Sequence, residues 1–137
     1  MCGIIGYIGE KKAAPILIEG LERLEYRGYD SAGISTLEYE GNSPCLGTRK
    51  SVGKISSLVA MLENPDKRNK PLSGTAGVAH TRWATHGAPS GVNAHPQLSR
   101  NKQVAVVHNG IIENHEHLRR ELAAEAQKEI HSERRLR

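Results

Sequence analysis

The chain begins Met1-Cys2-Gly3-Ile4-Ile5-Gly6, a nucleophilic residue followed at once by a short apolar run. Removal of the initiator Met would make Cys2 the first residue and give it a free α-amine. Such an amine titrates well below Lys, so part of it is neutral near physiological pH and can act as a general base for the adjacent thiol. The alternative interpretation is that Cys2 has no role beyond its place near the chain start.

The composition predicts one domain with an aliphatic core. The chain has 137 residues, of which 37% are hydrophobic and 4% aromatic, and it lacks Phe. The net charge of +4 is mild, and acidic residues interleave with the late Arg residues, which argues against a nucleic-acid partner. We find no apolar run of membrane-spanning length and no signal-peptide pattern. These features predict a soluble cytoplasmic protein with no membrane contact.

The two Cys and seven His residues do not form a ligand pattern. Cys2 and Cys45 are too few for a disulfide framework or a zinc site, and the His spacing matches no metal motif. We therefore expect neither a metal nor another cofactor, and we interpret Cys45 as a bystander.

Periodicity predicts an α+β domain. In the helix predicted over 115–125, Leu118 and Leu122 are expected to face inward. The segment 83–98 is predicted to be a long irregular loop, and loops of this length often carry function. The predicted strands cover 2–8, 31–37, 45–49, 75–81 and 103–107, and the predicted helices cover 11–25, 54–62 and 115–125.

Four polar segments lie at predicted strand ends or in loops, where rigid scaffolds commonly hold functional groups. The first is Cys2 itself. The other three are 27–33, 80–87 and 108–110.

The segment 80–87 offers groups that suit an anion. Arg82 carries a planar fork of donors that matches a carboxylate, and Thr85 and His86 can add hydrogen bonds to the same group. The alternatives are a structural ion pair for Arg82 and an ordinary structural role for His86. Trp83 either shields a pocket or covers a core edge.

The pair Asn109-Gly110 joins a side-chain amide donor to an unobstructed backbone N–H, which are the parts of an oxyanion hole. A plain turn after a strand is the alternative. In the segment 27–33, Arg27 and Asp30 can pair and brace a turn.

Together these groups favour acyl transfer. A thiol with its own base, a carboxylate clamp and an oxyanion hole would attack the amide of an amino acid, form a thioester and release ammonia.

Five stretches resemble a known family in the same order along the chain. They are Met-Cys-Gly-Ile at 1–4, the run from Arg23 to Gly33, His-Thr-Arg-Trp-Ala-Thr-His-Gly at 80–87, Asn-Ala-His-Pro at 93–96 and His-Asn-Gly-Ile-Ile-Glu-Asn at 108–114. Over roughly residues 1–122 the chain resembles the glutaminase domains of the glucosamine-6-phosphate synthases, which are class II glutamine amidotransferases. The resemblance implies an N-terminal-nucleophile hydrolase fold, with stacked antiparallel sheets between helical layers.

The resemblance also implies roles for the candidate residues. Cys2 would be the nucleophile, and Asn109 and Gly110 would stabilise the oxyanion. The glutamine α-carboxylate would be bound by Arg82, Thr85 and His86. Two further residues would have supporting roles, Arg27 near the thiol and Trp83 in a segment that closes over the site.

The end of the chain departs from the family pattern. We expect a partial glutaminase domain over 1–126 that is incomplete at its C-terminus, and a divergent charged tail over 127–137. The sugar isomerase domains, through which the family binds fructose 6-phosphate, are absent from this sequence, and the homodimer is expected only of the full-length family. The alternatives are an inactive remnant or binding module, a class II amidotransferase with another ammonia acceptor, and a small basic nucleic-acid binder.

Overall fold

The centre of the molecule is a four-stranded antiparallel sheet with strand order β1-β4-β2-β3. The computed structural model describes residues 2–27, 30–65, 70–83 and 90–135, and it describes the side chains of all of these except Arg27 and 127–135. The strands are β1 (Gly3–Ile8), β2 (Ser31–Glu40), β3 (Ser43–Val52), β4 (Ala76–Arg82), β5 (Gln97–Leu98) and β6 (Ala105–Val106). The helices are α1 (Ala13–Leu24), which continues into a 3-10 turn (Glu25–Arg27), α2 (Ile55–Glu63) and α3 (His115–Arg135).

The β2–β3 hairpin is longer than its sequence pattern predicts. Pairing runs without interruption from Ser31 opposite Val52 to Glu40 opposite Ser43. The connection at Gly41-Asn42 is tight, and Gly41 adopts a φ of +62°, which a residue without a side chain tolerates at little cost. Because only Gly41 and Asn42 connect the two strands, the pairing continues up to the turn.

The core lies between the sheet and one helical layer. Leu17 and Leu21 of α1 are fully buried against the same sheet face as Ile34 and Ala79, and Leu58 of α2 extends this cluster. Burying an aliphatic side chain of this size contributes about 1.5–3 kcal/mol. This confirms the helices predicted over 11–25 and 54–62, and it confirms the aliphatic core.

The opposite sheet face is largely exposed at one end and covered at the other. Ile8 and Tyr39 are exposed on this face, far from Cys2. Nearer Cys2, the segment before β5 crosses the sheet at Gly33, where an added Cβ would lie only 2.1 Å from the His95 carbonyl oxygen. A glycine at position 33 thus permits the chain at 93–97 to lie directly on the sheet.

The last helix departs from the prediction in length and in packing. Helix α3 runs from His115 to Arg135 instead of ending near residue 125. Leu118 and Leu122 are 39% and 65% exposed, so the expectation that they face inward is wrong. Every residue of 115–126 is exposed, which shows that no described element covers this helix. The helix passes residue 126 without a break, and the domain boundary there stays a prediction.

Two of the other predicted elements are shorter or more regular than expected. The strand predicted over 103–107 reduces to Ala105–Val106, which pairs with Gln97–Leu98 inside the segment predicted to be irregular.

Among the described helices, none combines the length and apolarity needed to cross a bilayer.

Candidate active site

Pairing of β1 with β4 brings Cys2 beside Trp83. Gly3 lies opposite Thr81 in the ladder, and its N–H donates to Thr81 Oγ1 at 3.1 Å. One step outside the ladder, the backbone N–H of Trp83 donates to Cys2 Sγ at 3.3 Å. Two strands distant in sequence therefore fix the position of the thiol.

Asn109 contacts both Cys2 and a buried imidazole. Its Nδ2 donates to the backbone oxygen of Cys2 at 3.2 Å, and its Oδ1 lies 2.8 Å from Nε2 of His80. A backbone carbonyl only accepts hydrogen bonds, so the nitrogen end of the amide must face Cys2. The carboxamide is thereby held in one orientation against the Cys2 backbone.

His80 and His95 form a pair of adjacent rings with centroids 4.6 Å apart and planes tilted by 32°. Burial lowers the pKa of His80 below its ordinary value. The Asn109 hydrogen bond opposes this shift, and the neighbouring His95 adds to it. Burial also lowers the pKa of His95, and a backbone hydrogen bond at Val106 opposes it. Both imidazoles are thus biased toward the neutral form.

A cavity of about 390 Å³ opens in front of Cys2. Its volume is within the range of small-molecule sites. Arg82 lines it with a guanidinium suited to an anion, and Trp83, 51% exposed, lies in its wall. The remaining lining residues are His80, Asn93, His95, Gln97, His108, Gly110 and Ile111.

Gly110 completes the turn after Asn109. Its φ of +130° belongs to the region that favours glycine, and an added Cβ would approach the His108 ring at 3.4 Å. The contact with the ring would be an ordinary one, so the position favours glycine for its backbone conformation.

Most of the candidate residues on described segments meet at this cavity. Cys2, Arg82, Trp83 and Gly110 line it, and Asn109 lies against Cys2. The chemistry that such a group can perform is thiol attack on a small polar substrate, with donors placed beside the thiol.

Three candidates are not described at the cavity. Thr85 and His86 lie outside the described residues, and for Arg27 only the backbone is described. Asp30 has a bracing role: its N–H donates to the Arg82 carbonyl at 2.8 Å, and its Oδ1 accepts from Ser31 Oγ at 2.8 Å.

Sequence reasoning did not single out His80, His95, Gln97 or Ile111 as site residues. The stretch 93–96 was conspicuous only as a motif shared with a family, and no chemical pattern marks it. His80 is one residue of a polar segment, and its partner Asn109 is 29 positions away.

Within the described part of the chain, no three His, Cys, Asp or Glu residues cluster closely enough to hold a metal ion.

Comparison with known proteins identifies relatives of this chain. Residues 41–133 match the family model of the glutamine amidotransferase domain. The glutamine–fructose-6-phosphate aminotransferases (isomerizing) of Pseudomonas putida and Escherichia coli are 58% and 54% identical over 89% and 90% of this chain. That of Bacteroides thetaiotaomicron is 52% identical over 90% of the chain. The chain spans only 18–19% of the length of these relatives.

Solved structures show the same fold. The Bacillus subtilis glutamine phosphoribosylpyrophosphate amidotransferase, complexed with ADP and GMP, superposes with a TM-score of 0.69 at 26% identity, over 91% of this chain and 25% of its own. The allosteric regulatory enzyme of purine biosynthesis gives a TM-score of 0.71 at 26% identity, over 91% of this chain and 25% of its own. The predicted α+β fold of the N-terminal-nucleophile amidotransferases is thus confirmed. With the family match covering more than half of its residues, this chain belongs to the glutamine amidotransferase domain family.

Proposed function

We propose that this chain hydrolyses L-glutamine to glutamate and ammonia through a thioester on Cys2. The observation that carries the proposal is that Cys2 and Arg82 line one cavity while Asn109, from a third part of the chain, donates to the Cys2 backbone oxygen. Each supplies a different requirement of amide hydrolysis: a nucleophile, a donor for the oxyanion and a cation for the substrate carboxylate.

The first half-reaction acylates the thiol. Trimming of Met1 would leave the α-amine of Cys2 free to take the thiol proton, and Sγ would then bond to the side-chain amide carbon of glutamine. The resulting tetrahedral oxygen would accept from Asn109 Nδ2, which has a second N–H besides the one given to Cys2. The Gly110 N–H would be the second donor.

Collapse of the tetrahedral intermediate breaks the carbon–nitrogen bond. The nitrogen leaves as ammonia after receiving the proton held by the α-amine, and the acyl group remains on Sγ. Water, deprotonated by the same amine, then attacks the thioester and releases glutamate and the free thiol. Atoms balance as glutamine plus water giving glutamate plus ammonia.

Substrate binding relies on charge. Arg82 would hold the α-carboxylate, and Thr85 and His86 would complete that contact. Trp83 lies in the cavity wall, is 51% exposed, and would cover the bound amino acid. Arg27 would support the thiol region.

The ammonia acceptor is part of the proposal as well. The relatives whose names specify fructose 6-phosphate extend far beyond the region that this chain matches. We propose that residues 1–126 form the glutaminase part and that ammonia passes to fructose 6-phosphate through isomerase domains of a full-length, homodimeric enzyme. The segment 127–137 would be a divergent charged tail without a role in the chemistry.

The test is intact-mass analysis of the purified chain before and after exposure to an electrophilic glutamine analogue, together with an assay for glutamate release. We expect loss of Met1, one adduct per chain mapped to Cys2, protection by excess glutamine, and turnover above background. A folded chain that retains Met1, or that forms no glutamine-protected adduct, would identify an inactive remnant or a binding module.

A further inference from the structure

The hydrogen bond between His80 and Asn109 has a consequence for catalysis. We propose that His80 is a positioning residue whose Nε2–H tautomer fixes the Asn109 amide with its nitrogen toward Cys2. The inference rests on the proposed function, because it takes Asn109 as an oxyanion donor. His80 itself is 1% exposed and acts through Asn109.

The orientation follows from the partners on each side of the amide. The Cys2 carbonyl can only accept, which places Nδ2 toward the Cys2 backbone and Oδ1 toward His80. Oδ1 can only accept as well, so Nε2 of His80 must carry the proton. The other neutral tautomer would present a lone pair to Oδ1 and would favour the flipped amide.

A flipped amide would harm the site in two ways. Oδ1 would face the Cys2 carbonyl, so two acceptors would oppose each other across about the present 3.2 Å. The developing oxyanion would meet an oxygen instead of an N–H. Loss of one such donor typically lowers kcat by about 100-fold or more.

The surroundings keep the imidazole neutral and in place. Burial lowers the pKa of His80, which favours the neutral imidazole with one ring N–H. The His95 ring lies against it at 4.6 Å. The backbone at His95 rests on Gly33, which is paired with His80 in the sheet. The chain 93–97 therefore holds the His80 ring from the side opposite the helical layer.

The tautomer is measurable without any turnover. We would record long-range ¹H–¹⁵N spectra of the imidazoles in the intact 137-residue chain at pH 7, assigning His80 by comparison with His80→Gln. We expect the neutral Nε2–H form, with nuclear Overhauser contacts from the Asn109 amide protons to Cys2. An Nδ1–H tautomer, or an imidazolium at pH 7, would overturn the inference even if glutamine hydrolysis is normal.

Variants test whether the hydrogen bond matters for the reaction. His80→Leu removes the donor at similar volume, whereas His80→Gln retains an amide N–H that can reach Asn109. We expect His80→Leu to lower kcat by about 100-fold with little change in KM, and His80→Gln to restore much of the loss. His117→Leu, an exposed His on α3, is the matched control and should behave as wild type.

A double-mutant cycle separates positioning from general destabilisation. If His80 acts only through Asn109, adding His80→Leu to Asn109→Ala should change kcat by less than about 2-fold. Full additivity, or an effect confined to KM, would overturn the inference. If wild type itself shows no glutamine hydrolysis, the proposed function fails, and the tautomer still decides the role of His80. Should His80→Leu not fold, the wild-type tautomer and the His80→Gln kinetics decide.

Discussion

The backbone N–H of Trp83 donates to Sγ of Cys2 at 3.3 Å, across 81 positions of sequence. The contact exists because β1 and β4 pair in register up to Gly3 and Thr81. Residues just beyond that register, Cys2 on one strand and Arg82 and Trp83 on the other, necessarily converge. The thiol and the guanidinium therefore reach one cavity as a consequence of strand pairing.

The first prediction concerns the nucleophile. Cys2→Ala should abolish glutamate release and labelling by the glutamine analogue, because no other group in the proposed mechanism can form the thioester. Cys45→Ala is the matched control: Cys45 lies on β3, opposite Glu38, and should be dispensable. Labelling that persists in Cys2→Ala would show that the reactive thiol had been misassigned.

The second prediction concerns the carboxylate clamp. Arg82→Ala should raise KM for glutamine by about 10- to 100-fold, the equivalent of a charged hydrogen bond, and should change kcat much less. Steady-state glutaminase kinetics provide the measurement. Arg23→Ala removes an exposed Arg that pairs with Glu19 on the same helix, and it serves as the control. An unchanged KM in Arg82→Ala would exclude the clamp.

The third prediction concerns the turn at Gly110. Gly110→Ala must place a side chain at a φ of +130°, which costs about 1–3 kcal/mol of strain or displaces the backbone N–H. We expect a reduced kcat and a lower Tm, measured by kinetics and thermal unfolding. Gly91→Ala is the control, because a Cβ there meets nothing within 4 Å. An unchanged kcat together with an unchanged Tm in Gly110→Ala would contradict the strain expected at this position.

The fourth prediction concerns the contact of the 93–97 segment with the sheet. Gly33→Ala would bring a Cβ to 2.1 Å from the His95 carbonyl oxygen, so the segment must move away. We expect destabilisation of about 1–3 kcal/mol, the usual cost of overpacking, together with weaker glutamine binding. Urea unfolding and KM measure the two effects. Gly6→Ala is the control: Gly6 lies on β1, which β4 separates from β2, and a Cβ there meets nothing within 4 Å, so neither quantity should change.

The fifth prediction concerns pH. The folded-state pKa of His80 lies below its unfolded value, first because of burial, so the unfolded chain binds the proton more readily. The resulting stability is complete above the unfolded pKa of about 6.5 and decreases as the pH falls below it. His95 is shifted in the same direction and contributes in the same window.

Urea unfolding at pH 7.5 and at pH 5.5 tests this expectation. Wild type should be less stable at the lower pH, and His80→Gln should lose less stability between the two conditions than wild type or His117→Gln. Glu38 is separable from this effect: burial raises its pKa, but hydrogen bonds from Thr36, Ser73 and Gly74 outweigh burial and lower it. The folding stability that Glu38 contributes is therefore lost only as the pH falls below its ordinary pKa of about 4.5. Equal pH dependence in all three proteins would contradict the assignment to His80.

Local sequence determined the elements and most of the candidate chemistry. Apolar spacing indicated α1 and α2, because Leu17 and Leu21 recur at the helical period in α1, Ile55 and Leu58 do so in α2, and all four are buried. Cys2, Arg82 and Asn109-Gly110 were identified because thiol, guanidinium and amide donors are chemically recognisable without coordinates. The failure at Leu118 and Leu122 has the same origin, since periodicity predicts which residues share a face and not whether anything covers it.

Tertiary structure alone decided how the groups act on one another. The register of β1 against β4 set the Cys2–Trp83 contact, and the crossing at Gly33 placed His95 against His80. The orientation of the Asn109 amide depends on partners 107 and 29 positions away. Hydrogen-bond direction and the burial of an imidazole are properties of neighbours in space, so no local sequence pattern contains them.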